Sequence, residues 1–388
     1  MKKIFFYIAG LFLIISSSIL NASTSSIYGR VVDKTTGKPI PNANIYLANT
    51  TVGTTTNTNG YFEIKNVPQG TFDIIFSHVA YYFHKEKVQF KHNYIDIGTI
   101  GLITKAYQLP TVVVEEEESI WKDQYEKFIN EFIGEGNNAD STYIVDPYNI
   151  DFWEKDEKLF AACSDPIEIV NKALGYKIQY FLDFFESTSD YAKFAGNSVF
   201  TPLLANTKTD SIKWLENRDK TYIGSFRHFL KTLNDGYTKL IDKRKKEDDS
   251  LSQKIGTDVM DSLLNANGFF IYQVGKLPWE TPFPFSEIPI KAKKILRPGE
   301  IKTERLLKFS DYLKVYFIPD YEEGKYPLNY RIKDILNVQS SYLALEQDSV
   351  MIDIYGRYYD KFGIHTYGKF GQERLSDLLP YEYRYIKK

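Results

Sequence analysis

Five histidines, one cysteine and 50 acidic side chains are the groups in this 388-residue chain that could hold a metal, move a proton or attack a carbonyl. A zinc peptidase needs neutral imidazoles and a carboxylate around the metal, with a further carboxylate as general base. The histidines are His78, His84, His92, His228 and His365. None has glutamate at the third following position, and H-E-x-x-H does not occur. His84 and His92 stand eight apart, which supplies two ligands where a zinc site needs three or four. Ser225 and His228 lie three apart in a helical pattern, so they share a face. A nucleophile there would need an orienting carboxylate and an oxyanion hole, and no residue can be named for either. Cys163 sits in apolar, strand-like sequence, where a thiol is usually inert. The elbow G-x-S-x-G, the phosphate loop and the dinucleotide fingerprint are absent. A glycosidase pair needs two carboxylates across a cleft, and no sequence spacing marks such a pair. No catalytic, cofactor-binding or metal-ligating residue is therefore assigned, and no cofactor is expected.

The elements that would position any site begin after an address. Lys2 and Lys3 precede the apolar run Ile4–Ile14, and Ser16–Ser18 lead to Asn21 and Ala22. That order describes a secretory signal peptide over residues 1–22. The run is shorter than the roughly 20 apolar residues of a spanning helix, and no later segment reaches that length. Cleavage near Ala22 removes two lysines and takes the formal net charge from −2 to −4. This balance argues against a general affinity for nucleic acid, which needs a clustered basic surface. One cysteine cannot form an internal disulfide, so the core must hold by packing. Thirty tyrosines and 27 phenylalanines supply that core. They suit half-buried strands, because a tyrosine ring packs inward while its hydroxyl reaches water. The same excess could form a sugar-stacking surface.

From Ser26 the sequence becomes short strands separated by turn residues. Four blocks follow in order. The first is Gly29, Val31 and Asp33. The second is Thr36, Gly37, Pro39, Ile40 and Ala43. The third is Gly53, Thr54, Thr56, Asn57, Gly60 and Phe62. The fourth is Val67, Pro68, Gly70 and Phe72. In order and spacing they resemble the carboxypeptidase-like regulatory domain, over about Ser25 to Leu109. Where that family continues with Gly-Tyr, this chain has Ala80-Tyr81. The resemblance implies an all-β, seven-stranded sandwich of transthyretin or immunoglobulin-like type, and a non-catalytic appendage. The motif residues are mostly Gly, Pro and Thr, which shape backbone rather than chemistry.

The expected organisation is a sandwich over 23–110, an acidic hinge over 111–118 and an α+β region over 119–388. That region should be mostly antiparallel, with a few amphipathic helices and a division into two subdomains near 235–265. Trp121, Tyr125, Phe128, Ile129, Phe132 and Ile133 predict one helix, ended by Gly134. The apolar positions from Trp214 to Leu233 predict a second. Gln372–Leu379 reads as a short final helix. Segments such as Tyr222–Leu230 and Arg374–Pro380 resemble the uncharacterised region behind this domain in Bacteroidota-type secreted proteins, which implies a lineage and no chemistry.

The leading expectation is a non-enzymatic interaction or scaffold protein, exported to the periplasm, outer membrane or cell surface, with an envelope protein or glycan as partner. The alternative is a secreted hydrolase of peptides or glycans with its site in 119–388. A membrane β-barrel after Glu118 would need many alternating segments, which the helical stripes and the Pro-rich tract 277–290 oppose.

Overall fold

The computed structural model describes residues 25–67, 69–90, 94–105, 115–244, 252–282, 286–319, 321, 332 and 335–386. The leader 1–22 and Thr111–Val114 lie outside them. The sandwich has seven strands: β1 (Ser26–Asp33), β2 (Asn44–Leu47), β3 (Gly53–Thr55), β4 (Tyr61–Lys65), β5 (Gly70–His78), β6 (Tyr81–Phe90) and β7 (Tyr94–Leu102). One sheet runs β4-β1-β7 and the other β3-β2-β5-β6. Alternation decides the faces. Ile27, Val31, Ile45, Phe62, Ile64 and Phe76 point inward and are buried.

The motif residues prove to be turn organisers. Oδ1 of Asp33 accepts the amides of Thr35 (2.9 Å) and Thr36 (2.7 Å). Its Oδ2 accepts the hydroxyls of Tyr81 and Thr104, both at 3.1 Å, so one carboxylate ties the first turn to β6 and the strand end after β7. The Thr36 amide is the main reason Asp33 is held well below the usual carboxylate range. Buried Thr56 donates to the Ile40 carbonyl at 2.6 Å and accepts the Ala43 amide at 2.8 Å.

The second body opens with α1 (Glu115–Phe132). The expected acidic hinge is thus corrected in part: Glu115–Glu118 form the first helical turn. Six antiparallel strands follow: β8 (Thr142–Ile144), β9 (Asp151–Lys155), β10 (Lys158–Ala162), β11 (Ile167–Asn171), β12 (Tyr176–Ser187) and β13 (Ala192–Pro202). Their order is β8-β11-β12-β10-β9, with β13 also paired to β12. Phe128 and Phe132 of α1 pack on Phe185 and Tyr180 of β12, with ring centroids 4.7 and 5.1 Å apart. Helix α2 (Lys208–Tyr222) closes this body; a Thr207/Asp210 capping box starts it.

The third body contains α3 (Phe226–Arg244), α4 (Ser252–Ala266), β14 (Phe269–Val274), β15 (Ile288–Pro289), the short α5 (Ala292–Ile295), β16 (Leu296–Pro298), β17 (Glu304–Leu307), β18 (Tyr312–Phe317), β19 (Gln339–Leu345), β20 (Val350–Asp353) and β21 (Ile364–Gly368). One sheet runs β15-β14-β18-β19-β21 and the other β16-β17-β20. After Glu118 the described strands thus divide among three open sheets. No helix among the described residues is long and apolar enough to cross a membrane.

Two expectations change here. The single helix predicted over 214–233 is two helices, α2 and α3, broken at Gly224 (φ +78°). The packing follows that break. One core draws on residues from Phe128 to Tyr222 together with Leu375 and Leu379, and the next runs from Phe226 to Phe370. The cores therefore divide at 223–225 and not within 235–265. Gln372–Leu379 forms no α-helix. It makes the second of two 3₁₀ turns, Phe370–Gln372 and Leu375–Asp377, because Glu373 and Arg374 between them are extended.

A Cβ at position 224 would stand 2.5 Å from the Phe317 ring in a left-handed backbone. Gly224→Ala should therefore lower stability by about 2 kcal/mol or more, from strain and overpacking together. Chemical denaturation of the purified variant checks this.

Candidate functional site

The three bodies meet through an apolar cluster, Ala48 and Ile75 against Phe181 and Val199, through Tyr355 packed on the core of the sandwich, and through polar seams beside them. Lys85 of β6 donates from Nζ to Asp183 Oδ1 (2.5 Å) and to Asn197 Oδ1 (2.9 Å), both in the second body. Lys361 of the third body donates to the other oxygen of Asp183 and to the same Asn197 amide oxygen at 3.2 Å. Asn197 Nδ2 returns to Asp73 of β5 at 3.1 Å. Burial works to raise the Asp183 carboxyl, but the hydrogen bonds from Lys361 and Lys85 outweigh it and hold the group lowered. A second seam lies close by. Thr71 of β5 donates to Glu304 at 3.0 Å, and Tyr359 donates to the same oxygen at 2.8 Å. Arg357, paired with buried Asp353, lies 4.1 Å over the Phe72 ring. A third seam is backbone: Asn49 donates to Ser198 at 2.6 Å and accepts the Tyr381 amide at 2.9 Å.

These seams surround a cavity of about 370 Å³, bounded by all three bodies. This size falls in the range of small-molecule sites, roughly 300–1,000 Å³. Tyr180, Tyr222, Tyr358 and Tyr381 line it, and their hydroxyls have no hydrogen-bond partner among the described residues. Burial raises all four phenol pKa values, and Tyr358 is pushed up to about 12. Tyr358 and Tyr381 each add to the shift on Tyr180. Tyr358 and Tyr381 are deep in the protein yet only partly covered, because their remaining surface is cavity wall. The rim reaches solvent at exposed Lys87 and at Leu378 (37 % accessible).

Helix α3 presents its first turn to this space. Ser225 Oγ accepts the His228 amide at 3.1 Å and so acts as the helix cap. His228 Nδ1 accepts the Gly224 amide at 3.1 Å, and burial lowers the imidazole to about 4. Serine and histidine are each bonded to backbone, so their spacing is that of a helix start rather than a nucleophile–base pair. Arg227 next to them uses every donor of its guanidinium on carbonyls: Tyr355, Leu379, Pro380, Tyr381 and Tyr383. It clamps the C-terminal segment against the cavity. Glu373 accepts the Phe226 amide at 2.7 Å. Burial pushes its carboxyl up to about 8, opposed by that amide and reinforced by Asp377.

The other chemical groups lie elsewhere. Cys163 donates to the carbonyls of Asn149 (3.2 Å) and Asp165 (2.7 Å), and burial pushes its thiol up to about 11. It packs on the second core and His228 sits against Phe269 of the third, so the two do not meet. His84 pairs with Glu86 at 2.8 Å, and His365 with Glu346 at 2.6 Å. His92 lies outside the described residues. Among the described residues no group of three potential metal ligands occurs. Sequence reasoning assigned no site. It missed this cavity because its walls come from residues more than 300 positions apart. The only available signal was the tyrosine excess.

Residues 27–114 match the profile of the CarboxypepD_reg-like domain. The chain carries a carboxypeptidase-like regulatory domain. Its seven strands and turn-forming motif residues agree with that match. No curated protein matches the sequence. Among solved structures, a type II cohesin–X-dockerin interface mutant from Acetivibrio cellulolyticus is 23% identical over 19% of this chain and 52% of its own, with a TM-score of 0.18. A proposed carbohydrate-binding protein from Bacteroides uniformis is 14% identical over 41% and 60%, also at 0.18. A proposed membrane-associated protein of unknown function from Bacteroides fragilis is 11% identical over 89% and 95%, at 0.17. The chain thus spans about half to three fifths of the first two. Scores this low carry no argument about function.

Glu373 makes stability depend on pH in a defined window. The folded protein holds its proton between about 4.5 and about 8, while the unfolded chain releases it. Stability should therefore fall as pH rises through that window, by about 1.4 kcal/mol per pH unit and a few kcal/mol in all. In Glu373→Gln this slope should vanish, and the variant should exceed the parent above pH 8. Urea midpoints between pH 5 and 9 measure it.

Proposed function

We propose that the protein is a non-catalytic binding protein of the cell envelope and that the cavity between its three bodies is its recognition site. One observation carries the reading. Most charged groups around the cavity already have protein partners, while the hydroxyls of four tyrosines on its wall are left without a hydrogen-bond partner among the described residues. A buried polar group without a partner is costly unless water or ligand completes it. The site therefore offers hydrogen bonds and aromatic faces but no activated nucleophile. The regulatory domain is a wall of the site in this reading, since Thr71, Phe72 and Asp73 of β5 line it. Export to the envelope rests on the sequence: the basic start, the apolar run and the small residues before Ser23. The partner is an envelope glycan or protein.

A hydrolase acting on peptides or glycans is the second reading, and Glu373 favours it. A carboxyl that keeps its proton at neutral pH is what a general acid requires. Its neighbour Asp377, however, accepts from Asn138 at 2.8 Å and organises the last 3₁₀ turn.

The two readings separate in one experiment. The purified mature chain, incubated with peptidoglycan and outer-membrane fractions, should bind saturably and release no product detectable by mass spectrometry. Product release that disappears in Glu373→Gln would establish the hydrolase instead.

A further inference from the structure

We infer that the cavity takes a neutral saccharide of one or two rings; this rests on the reading of the cavity as a recognition site and adds the ligand's chemistry.

The charges argue first. An anion needs a cation with donors to spare. Arg227 has none, because five carbonyls take its five N–H groups. Arg357 has its charge matched by buried Asp353, although its Nη2 makes no hydrogen bond among the described residues. Lys361 and Lys85 share Asp183. Arg374 donates to the carbonyls of Gly371 and Glu373 and pairs with Glu131 at 3.4 Å. Of the cations on the wall, only Lys87, at the exposed rim, has neither an ion pair nor a hydrogen bond among the described residues. A cation needs an open carboxylate. Asp73 accepts from Asn197, Asp377 from Asn138, and Glu373 is neutral below about pH 8. Among the charged groups on the wall only Lys87 at the rim is without a protein partner among the described residues, so a charge of either sign on the ligand would compete with bonds already made.

The hydroxyls argue next. An apolar ligand would leave Tyr180, Tyr222, Tyr358 and Tyr381 unsatisfied in a water-poor space, which is unfavourable for each. A neutral ligand with several hydroxyls satisfies them, because each phenol can both donate and accept. Protonated Glu373 adds a donor whose own acceptor oxygen is already occupied by Phe226. The walls between these groups are Phe194, Phe226, Phe370 and the tyrosine rings. Such faces suit the C–H surface of a pyranose. A sugar is the ligand class that combines hydroxyl edges with an apolar face at this volume.

Isothermal titration calorimetry on the mature chain tests this with glucose, N-acetylglucosamine and maltose, against glucuronic acid and glucosamine. At least one neutral sugar should bind saturably, and each charged counterpart at least tenfold more weakly. Tyr180→Phe removes a hydroxyl that no described protein group uses, so its thermal midpoint should match the parent. Its affinity should fall about three- to tenfold, the size of one hydrogen bond. Leu378→Trp, at the accessible rim, should block entry and abolish the heat. Charged sugars binding equally well, an unchanged affinity in Tyr180→Phe, or no neutral sugar binding at all overturns the inference. Envelope-fraction retention separates the two levels. If Leu378→Trp loses it while no neutral sugar binds, the ligand class is wrong and the recognition site stands. If retention survives Leu378→Trp, both fall together.

Discussion

One carboxylate is shared by all three bodies of this protein. Asp183 takes Lys85 from the regulatory domain on one oxygen and Lys361 from the third body on the other. Two lysines on one acid is a charge imbalance that only geometry corrects, and Asn197 supplies the correction. Its amide oxygen accepts from both lysines, and its nitrogen passes a hydrogen bond on to Asp73. The network is partly solvated, so its Coulomb energy is modest. Its value is positional: it ties three cores to one point beside the apolar seams that the sandwich shares with each of the others.

That constraint explains the cavity. Three bodies held at fixed points leave a gap where they meet. The gap is lined in part by tyrosines, whose rings pack on the cores while their hydroxyls face the space. Arg227 holds the carbonyls of the C-terminal segment along one wall. Glu373, capping the first amide of α3, takes its raised pKa from the same enclosure. The regulatory domain is thereby more than an appendage. Its loop 48–52 reaches β13 through the Asn49–Ser198 and Thr50–Val199 backbone pairs, and its strand β5 forms part of the cavity.

Much of the fold was legible in the sequence. The four motif blocks, the seven strands and the antiparallel α+β character of the remainder all have local causes: alternation, turn glycines and an Asx turn at Asn57–Gly60. The errors also have local causes. The pattern from Trp214 to Leu233 keeps helical spacing across Gly224, and the left-handed φ of that residue breaks the helix without disturbing the apolar count. The Glu115–Glu118 run reads as repulsive charge, yet its backbone is the first turn of a helix. Gln372–Leu379 has helix-forming residues, but extended Glu373 and Arg374 turn the chain toward α3. The site was not legible at all. Lys85, Asp183 and Lys361 are about 100 and 180 positions apart and look like ordinary surface charges. Ser225 and His228 attract attention by spacing, whereas their bonds go to the start of α3.

The central claim is that the regulatory domain and the two bodies behind it form one cooperative structure. Native-state hydrogen exchange on the purified protein, read at the amides of β5, β12 and β18, tests it most directly. A single opening free energy for all three strands, lowered equally in Asp183→Ala, is the predicted result. Exchange from β5 at its own lower free energy, unaffected by that substitution, would contradict it and leave the cavity without a fixed wall.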